Sequence, residues 1–258
     1  MKKVTKYLRY LVEYLKFGDI KSIVASARYL YNSTSHSNDR VIRTSVGTFY
    51  CRKNTNDFQF ANYYYEWGVK KFILSCIKDF TVFIEAGSCT GDYTILVSKF
   101  GLKCIAFEPV PYNYETLVKN LQLNNLADKV KTYPVGLGNE NKDAYFRFNP
   151  VNTGASHIDT DNITDCKVQI RTFDSLLSDL KLGKEEKILF KLDVEGMEPE
   201  VLQGAVEFIK QYPHLTFILE DKHTGQHAIR TILRNSAEFA VGTVDEFNIY
   251  ARKISNIN

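Results

Sequence analysis

The sequence predicts an α/β fold: a doubly wound, mostly parallel sheet that ends in a C-terminal antiparallel hairpin and is preceded by a helical extension. Three observations predict it. The apolar run Val82, Phe83, Ile84 ends at Glu85, passes through Gly87 and Gly91, and enters Tyr93, Thr94, Ile95, Leu96, Val97, whose apolar positions repeat at helical spacing. A second strand at 104–107 then delivers Glu108, about 20 residues past the first glycine, where a doubly wound fold places an acid that grips a ribose. Further on, Ile188, Leu189, Phe190 form another buried run whose carboxyl end carries Lys191, Asp193, Glu195 and Glu198 before a helix begins near Pro199. Ligands of open α/β sheets bind beyond such strand ends.

Taken in order, residues 1–30 carry Val4, Leu8, Leu11 and Leu15, then Ile20, Ile23, Val24 and Ala27 after a break at Gly18 and Asp19, the repeat of two amphipathic helices. Lys2, Lys3, Lys6, Arg9, Lys16, Lys21 and Arg28 face only Glu13 and Asp19. Two readings follow: helices that lay their apolar stripe on the rest of the chain or on a partner, or peripheral contact with an anionic membrane surface. Residues 31–40 read as a linker, which divides the chain into an extension (1–40) and one larger domain (41–258). Residues 41–52 alternate around Gly47 as a hairpin, and Asn54 to Asp57 caps a helix expected to run through Phe58, Ala61, Tyr64, Trp67 and Phe72.

After the Glu108 strand, Pro109 and Pro111 open a helix through Leu117 and Leu121 that closes at Asn124. A third strand at 130–135 follows, then strands at 144–148 and 167–171 around the loop 149–165. Loops of that length in compact domains tend to be functional, and this one, with Asn152, Gly154, Ser156 and His157, is the candidate substrate lid. A strand at 215–219 ends in Glu220, Asp221, Lys222 and His223, a helix spans about 228–233, and alternating runs at 239–244 and 247–251 make the closing hairpin. The tail 252–258 carries no signal.

Composition narrows the function classes. With 258 residues, 44% of them hydrophobic, the chain can bury one full core. A net charge of +3 is too small to imply a nucleic-acid partner. The five cysteines are scattered without a C-x-x-C pair, which predicts reduced thiols and a cytoplasmic setting. No stretch approaches the roughly 18 apolar residues of a spanning helix, and Arg9, Glu13 and Lys16 interrupt any signal-peptide core.

The glycine turn chooses among nucleosides. A dinucleotide site needs G-x-G-x-x-G so that backbone can approach a pyrophosphate, whereas Gly87 to Gly91 reads only G-x-x-x-G with Glu85 just before it. A carboxylate there repels a pyrophosphate and attracts the ammonium and sulfonium of S-adenosylmethionine. The alternative is another crossover whose glycines merely make a tight turn.

These stretches together resemble the FkbM family of S-adenosylmethionine-dependent methyltransferases. The resemblance covers roughly 46–251 and rests on I-E-A-G-S-C-T-G-D-Y-T, on A-F-E-P at 106–109, on L-x-x-N-x-x-L-N ending at Asn124, on G-A-S at 154–156, on R-T-F-D-S-L-L at 171–177, and above all on K-L-D-V-E-G-M-E at 191–198. R-K-N-T-N-D at 52–57 also matches. The chain departs from the family's usual G-A-N-x-G at Ser88 and Cys89, has Glu85 for the usual Asp, and places His223 one residue later than the family's E-x-H. The resemblance implies a class I Rossmann-like methyltransferase with cofactor contacts from Glu85, Gly87, Ser88, Gly91, Tyr93, Glu108, Pro109 and Asp193. It further implies O-methylation of a sugar or secondary-metabolite hydroxyl, for which the 16 tyrosines offer a stacking rim.

Methyl transfer to a hydroxyl needs alignment and removal of a proton. Asp193, Lys191, Glu195, Glu220 and His223 form the pool of catalytic candidates. Asp193, Glu220 and His223 are also the candidate ligands of a divalent cation, set against the simpler reading of hydrogen-bonded acids. Three functions stay open at this point: methyl transfer to oxygen or nitrogen of a small molecule or glycan, a non-catalytic membrane-apposed nucleoside binder, and a nicotinamide oxidoreductase.

Overall fold

Apolar residues at alternate positions on each central strand build two cores, one on either face of a sheet, and the intervening helices cover both. The computed structural model describes residues 2–147, 149, 151–154, 157–158, 166–221 and 226–256. Helices α1 (Lys2–Lys16) and α2 (Ile20–Asn32) lead into a hairpin of β1 (Arg40–Arg43) and β2 (Thr48–Cys51), then α3 (Asp57–Phe60) and α4 (Trp67–Cys76). The nucleoside unit follows as β3 (Val82–Ala86), α5 (Asp92–Ser98), β4 (Lys103–Phe107), α6 (Pro111–Leu123) and β5 (Val130–Tyr133). The β-rich detour comprises β6 (Gly136–Leu137), β7 (Lys142–Arg147), β8 (His157–Ile158) and β9 (Lys167–Arg171). Then come α7 (Phe173–Leu180), β10 (Ile188–Leu192), α8 (Glu198–Gln203), α9 (Val206–Gln211), β11 (Leu215–Glu220), α10 (Gln226–Ser236), β12 (Ala237–Thr243) and β13 (Asn248–Asn256).

Among the described residues, seven strands form the main sheet in the order β12-β13-β11-β10-β3-β4-β5. β11 through β5 pair in parallel, and β13 runs antiparallel to both β11 and β12. The chain moves outward from β3 through β4 to β5 and then crosses to β10 on the other side of β3. The order therefore reverses between β3 and β10, and at such a switch point the loops beyond the strands diverge and leave a crevice.

Strand alternation decides which groups enter that crevice. Val82, Ile84 and Ala86 pack with Ile188, Phe190 and Leu192 in one core, under α7 to α10. Phe83 and Leu189 join the other, with α4, α5 and α6. Glu85 and Lys191, directly opposite each other across β3 and β10, share this second face at its carboxyl end. Two charges that would be costly alone thus stand side by side.

The extension packs on the larger domain. Tyr10, Tyr14 and Ala25 join the core that holds Phe58; Tyr14 Oη donates to Phe58 O at 3.1 Å, and Asn62 Nδ2 donates to Tyr10 O at 3.3 Å. His36, in the stretch read as a linker, is buried with its ring centroid 5.1 Å from that of Phe58.

Two expectations need correction. The helix expected over 57–72 is broken into α3 and α4, because Glu66 takes the left-handed conformation at φ 46° just ahead of α4. Three consecutive tyrosines before Glu66 cannot keep one apolar stripe, and the rings of Tyr63, Tyr64 and Trp67 pack on one another instead. The tail expected to be featureless continues β13 as far as Asn256, where buried Lys253 Nζ donates to Tyr212 O at 3.0 Å and to Ile209 O. His223 and residues 150, 155–156 and 159–165 of the expected lid lie outside the described residues.

Candidate functional site

The turn after β3 is shaped by close approach. Gly87 sits at φ 81°, and a Cβ there would stand 1.8 Å from the carbonyl oxygen of Asp193, so the two strand ends meet backbone to backbone. Gly91, at φ 86°, caps α5 in a conformation that favours glycine. Ser88 is buried with its hydroxyl donating toward Glu85 O at 3.3 Å and Phe107 O at 3.2 Å, so it braces the turn rather than reaching outward. Its neighbour Cys89 donates its N–H to Glu108 Oε2 at 2.8 Å.

Two cavities flank this turn. The first, a narrow slot of about 50 Å³, is lined by apolar Val135, Leu137, Ile170 and Met197 together with Glu108, Pro109, Asn113, Gly87 and Asp193. Glu108 is buried and accepts a second bond from Val110 N at 3.0 Å. Burial raises its pKa to about 7, against the pull of those two N–H groups, Asn113 and Arg52.

The second cavity, about 480 Å³, opens over the ends of β3, β10 and β11 and is lined by Glu66, Glu85, Asp92, Asp193, Glu195 and Glu220 with Lys191, Tyr93, Phe60 and Tyr65. Its wall is a linked charge system. Lys191 Nζ lies 2.7 Å from Asp193 Oδ2 and 4.5 Å from the centre of the Tyr93 ring. Burial opposes the lysine's charge, but Asp193, Glu66 and Glu85 outweigh it and hold Lys191 protonated well above its ordinary value. Lys191 therefore stands charged beside Asp193. Tyr93 Oη donates to Glu66 Oε2 at 2.8 Å. Lys70, fully buried, pairs with Asp92 at 2.8 Å.

Glu85 is almost wholly buried and accepts from Thr94 N at 3.1 Å and Thr94 Oγ1 at 2.6 Å, which ties the strand to the first turn of α5. Burial raises its pKa to about 8, with Lys191 pulling it back. The folded protein therefore keeps a proton that an unfolded chain releases near the ordinary 4.5. In that window the folded state binds more protons, so its stability falls as pH rises. The melting temperature is expected to drop from about pH 5 to about pH 8, and Glu85→Gln, which can still accept from Thr94, should flatten that decline. Parallel melting curves for the two proteins would overturn the assignment.

The structure brings Asp193, Lys191, Glu195 and Glu220 of the expected pool to this one cavity. For the cation reading, Asp193 and Glu220 share the cavity wall, His223 lies outside the described residues, and among the described residues no group of three or more His, Cys, Asp or Glu is placed to hold an ion. Sequence reasoning missed Glu66, Asp92 and Lys70. Glu66 carried one signal: an acid set among four aromatics that has no place on an apolar helix face.

The motifs also gain physical reasons. Asn120 of L-x-x-N-x-x-L-N accepts from Tyr50 N at 2.7 Å and donates to Thr90 O at 2.9 Å, while Asn124 accepts from Thr48 N and donates to Thr48 O, so α6 clamps the hairpin and the glycine turn together. Arg52 and Asp57 of R-K-N-T-N-D form a buried two-pronged pair at 2.7 and 2.8 Å.

Comparison with known proteins gives the family. A model of the Methyltransferase FkbM domain matches residues 85–239. Methyltransferase 1 of Beauveria bassiana (strain ARSEF 2860) is 26% identical over 157 residues, which are 52% of this chain and 62% of that protein. The chain thus spans less than two thirds of the length of this curated relative. Among solved structures, Methyltransferase FkbM from Methylobacillus flagellatus KT aligns over 67% of this chain and 44% of its own at 16% identity and a TM-score of 0.48. A putative O-methyltransferase from Klebsiella pneumoniae aligns over 74% and 80% at 12% identity and a TM-score of 0.41. Because the domain model covers more than half of its residues, the chain belongs to the FkbM family of S-adenosylmethionine-dependent methyltransferases.

Proposed function

We propose that residues 41–258 transfer the methyl group of S-adenosylmethionine to a hydroxyl of a sugar-containing or secondary-metabolite acceptor, with residues 1–40 as a packed helical extension. The observation that carries this reading is that an apolar slot with Glu108 in its lining and a cavity with an acidic wall lie side by side, sharing Gly87, Cys89, Gly154, Asp193 and Glu195. The apolar lining of the slot suits a purine, and Glu108 is the acceptor for the ribose hydroxyls. The acidic wall fits a cation, and in a partly dry cleft opposite charges attract far more strongly than in water. Bound there, the cofactor supplies an electrophilic methyl group.

The remaining steps belong to this chain's own residues. Glu66 is placed to take the acceptor proton: burial first, then Asp193, raises its pKa, with Lys191 and the bond from Tyr93 pulling it back. A carboxylate of raised pKa is a stronger base near neutral pH than an ordinary one. Lys191 offsets the negative charge of the wall, and Phe60 and Tyr65 add aromatic lining for an acceptor. A hydroxyl acceptor needs such a base at the moment of transfer, which favours oxygen over an amine that attacks as its free base.

Isothermal titration with S-adenosylhomocysteine and with NADH, followed by transfer of labelled methyl to candidate hydroxyl acceptors, tests this reading. Binding of the first ligand alone is expected; binding of NADH alone would point to hydride chemistry instead. Glu108→Ala should weaken S-adenosylhomocysteine by about 1.5–3 kcal/mol, the range for a hydrogen bond to a charged group, and an unchanged affinity would remove Glu108 from the ribose site.

A further inference from the structure

The outer surface of the helical extension is the largest feature that methyl transfer leaves unused. Helix α1 has two apolar faces. One, with Tyr10 and Tyr14, is buried against the domain. The other presents Leu8, Leu11, Val12 and Leu15 at i, i+3, i+4, i+7 spacing, and Leu8, Val12 and Leu15 are 58%, 53% and 53% exposed. On the next helix Ile20, 56% exposed, and Val24 also stand in solvent. Soluble proteins rarely leave so many neighbouring apolar side chains in water unless the patch meets a partner or a membrane.

Charge decides which. Lys6, Arg9, Lys16, Lys21 and Arg28 are all exposed around this patch. The two acids of the segment are both turned inward and used. Glu13 is 3% exposed and accepts from Ser45 N at 2.6 Å and Ser45 Oγ at 3.1 Å. Asp19 caps α2 by accepting from Ser22 N and pairs with Arg40. The outward charge of the described part of the hairpin is therefore entirely positive. A second copy docked about a twofold axis would set this basic surface against itself. An anionic lipid surface meets both features at once: acyl chains take the apolar side chains, and headgroups take the lysines and arginines.

We propose that the α1–α2 hairpin docks this protein peripherally on an anionic lipid bilayer, with Leu8, Val12, Leu15 and Ile20 entering the interface. Among the described residues no helix is long and apolar enough to cross a membrane, so the hairpin lies in the surface plane. The docking rests on the extension alone and holds whether or not the cleft transfers methyl groups.

Co-sedimentation of the full chain with vesicles tests it. Binding is expected to vesicles of equal parts phosphatidylcholine and phosphatidylglycerol, with little to phosphatidylcholine alone, and it should weaken as salt screens the headgroups. Leu8→Gln combined with Val12→Gln should abolish it. Arg9→Glu combined with Lys21→Glu should weaken it by roughly tenfold or more, at about 1 kcal/mol per basic residue. All four positions are exposed, so both double variants should keep the wild-type circular dichroism and melting temperature. Sedimentation that is absent, equal on neutral vesicles, or unaffected by the variants would overturn the proposal. So would a concentration-dependent dimer that Leu8→Gln with Val12→Gln converts to monomer without any vesicle binding.

Discussion

Glu66→Gln is expected to lower the turnover number by about 10²- to 10⁴-fold, the range for loss of a general base, while S-adenosylhomocysteine binds nearly as before. The substitution is close to isosteric, and the amide oxygen can still accept from Tyr93 Oη, so the break between α3 and α4 should stand. What disappears is basicity. In the native protein burial, and after it the charge of Asp193, lifts the Glu66 pKa above the ordinary carboxylate range. A base acts only when ionised, so activity should rise with pH through that elevated value and lose its acidic limb in the variant. A fall in turnover without that change in pH profile would mark Glu66 as a positioning residue, and full activity would pass the base role to Asp193, Glu195 or Glu220. The left-handed backbone at Glu66 fits this role. A non-glycine residue in that region costs of order 1 kcal/mol and is kept where the surroundings hold it; here it aims an acid into a cavity between Tyr93 and the β10 strand end.

The main sheet was legible because its signals are local. Strands β3, β4, β10 and β11 are continuous apolar runs bounded by charge or glycine, and each stands where its run stands. The slot side of the site was legible for a related reason: Gly87, Gly91 and Glu108 belong to one strand–turn–helix unit whose spacing is fixed by backbone geometry. The opposite wall was not. Glu66 enters the cavity through a helix break that propensity does not signal, and its neighbours Tyr93 and Asp193 lie 27 and 127 residues away. Lys191 was legible in position but not in role, since its protonation depends on three carboxylates from three different segments. Lys253 was hidden because a lysine normally keeps its charge in water, and only the carbonyls of α9 and the residue after it give it a buried site.

Asp57→Ala is expected to cost about 3–5 kcal/mol of stability, because it leaves a buried charge without its partner. Arg52 and Asp57 are each about 1% exposed, and the guanidinium is gripped at Nε and Nη2 by both carboxylate oxygens. No water replaces that carboxylate without opening the site, so the cost is desolvation of Arg52 more than loss of attraction. For a chain of this size the melting temperature should fall by on the order of 10 °C. Arg52→Leu added to Asp57→Ala should recover part of the loss, since removing both charges leaves only imperfect packing; no recovery, or a single variant as stable as wild type, would refute the account. The effect should reach the nucleoside slot as well. Arg52 Nη1 donates to Tyr112 O at 2.9 Å and to Asn113 Oδ1 at 3.0 Å, and Asp57 Oδ1 accepts from Thr153 Oγ1 at 3.0 Å. Asn113 and Thr153 both line the slot beside Glu108. Below its melting transition, Asp57→Ala should therefore bind S-adenosylhomocysteine more weakly although Asp57 lines neither cavity, whereas Lys167→Ala, which breaks only an exposed pair with Asp143, should change neither melting nor affinity measurably.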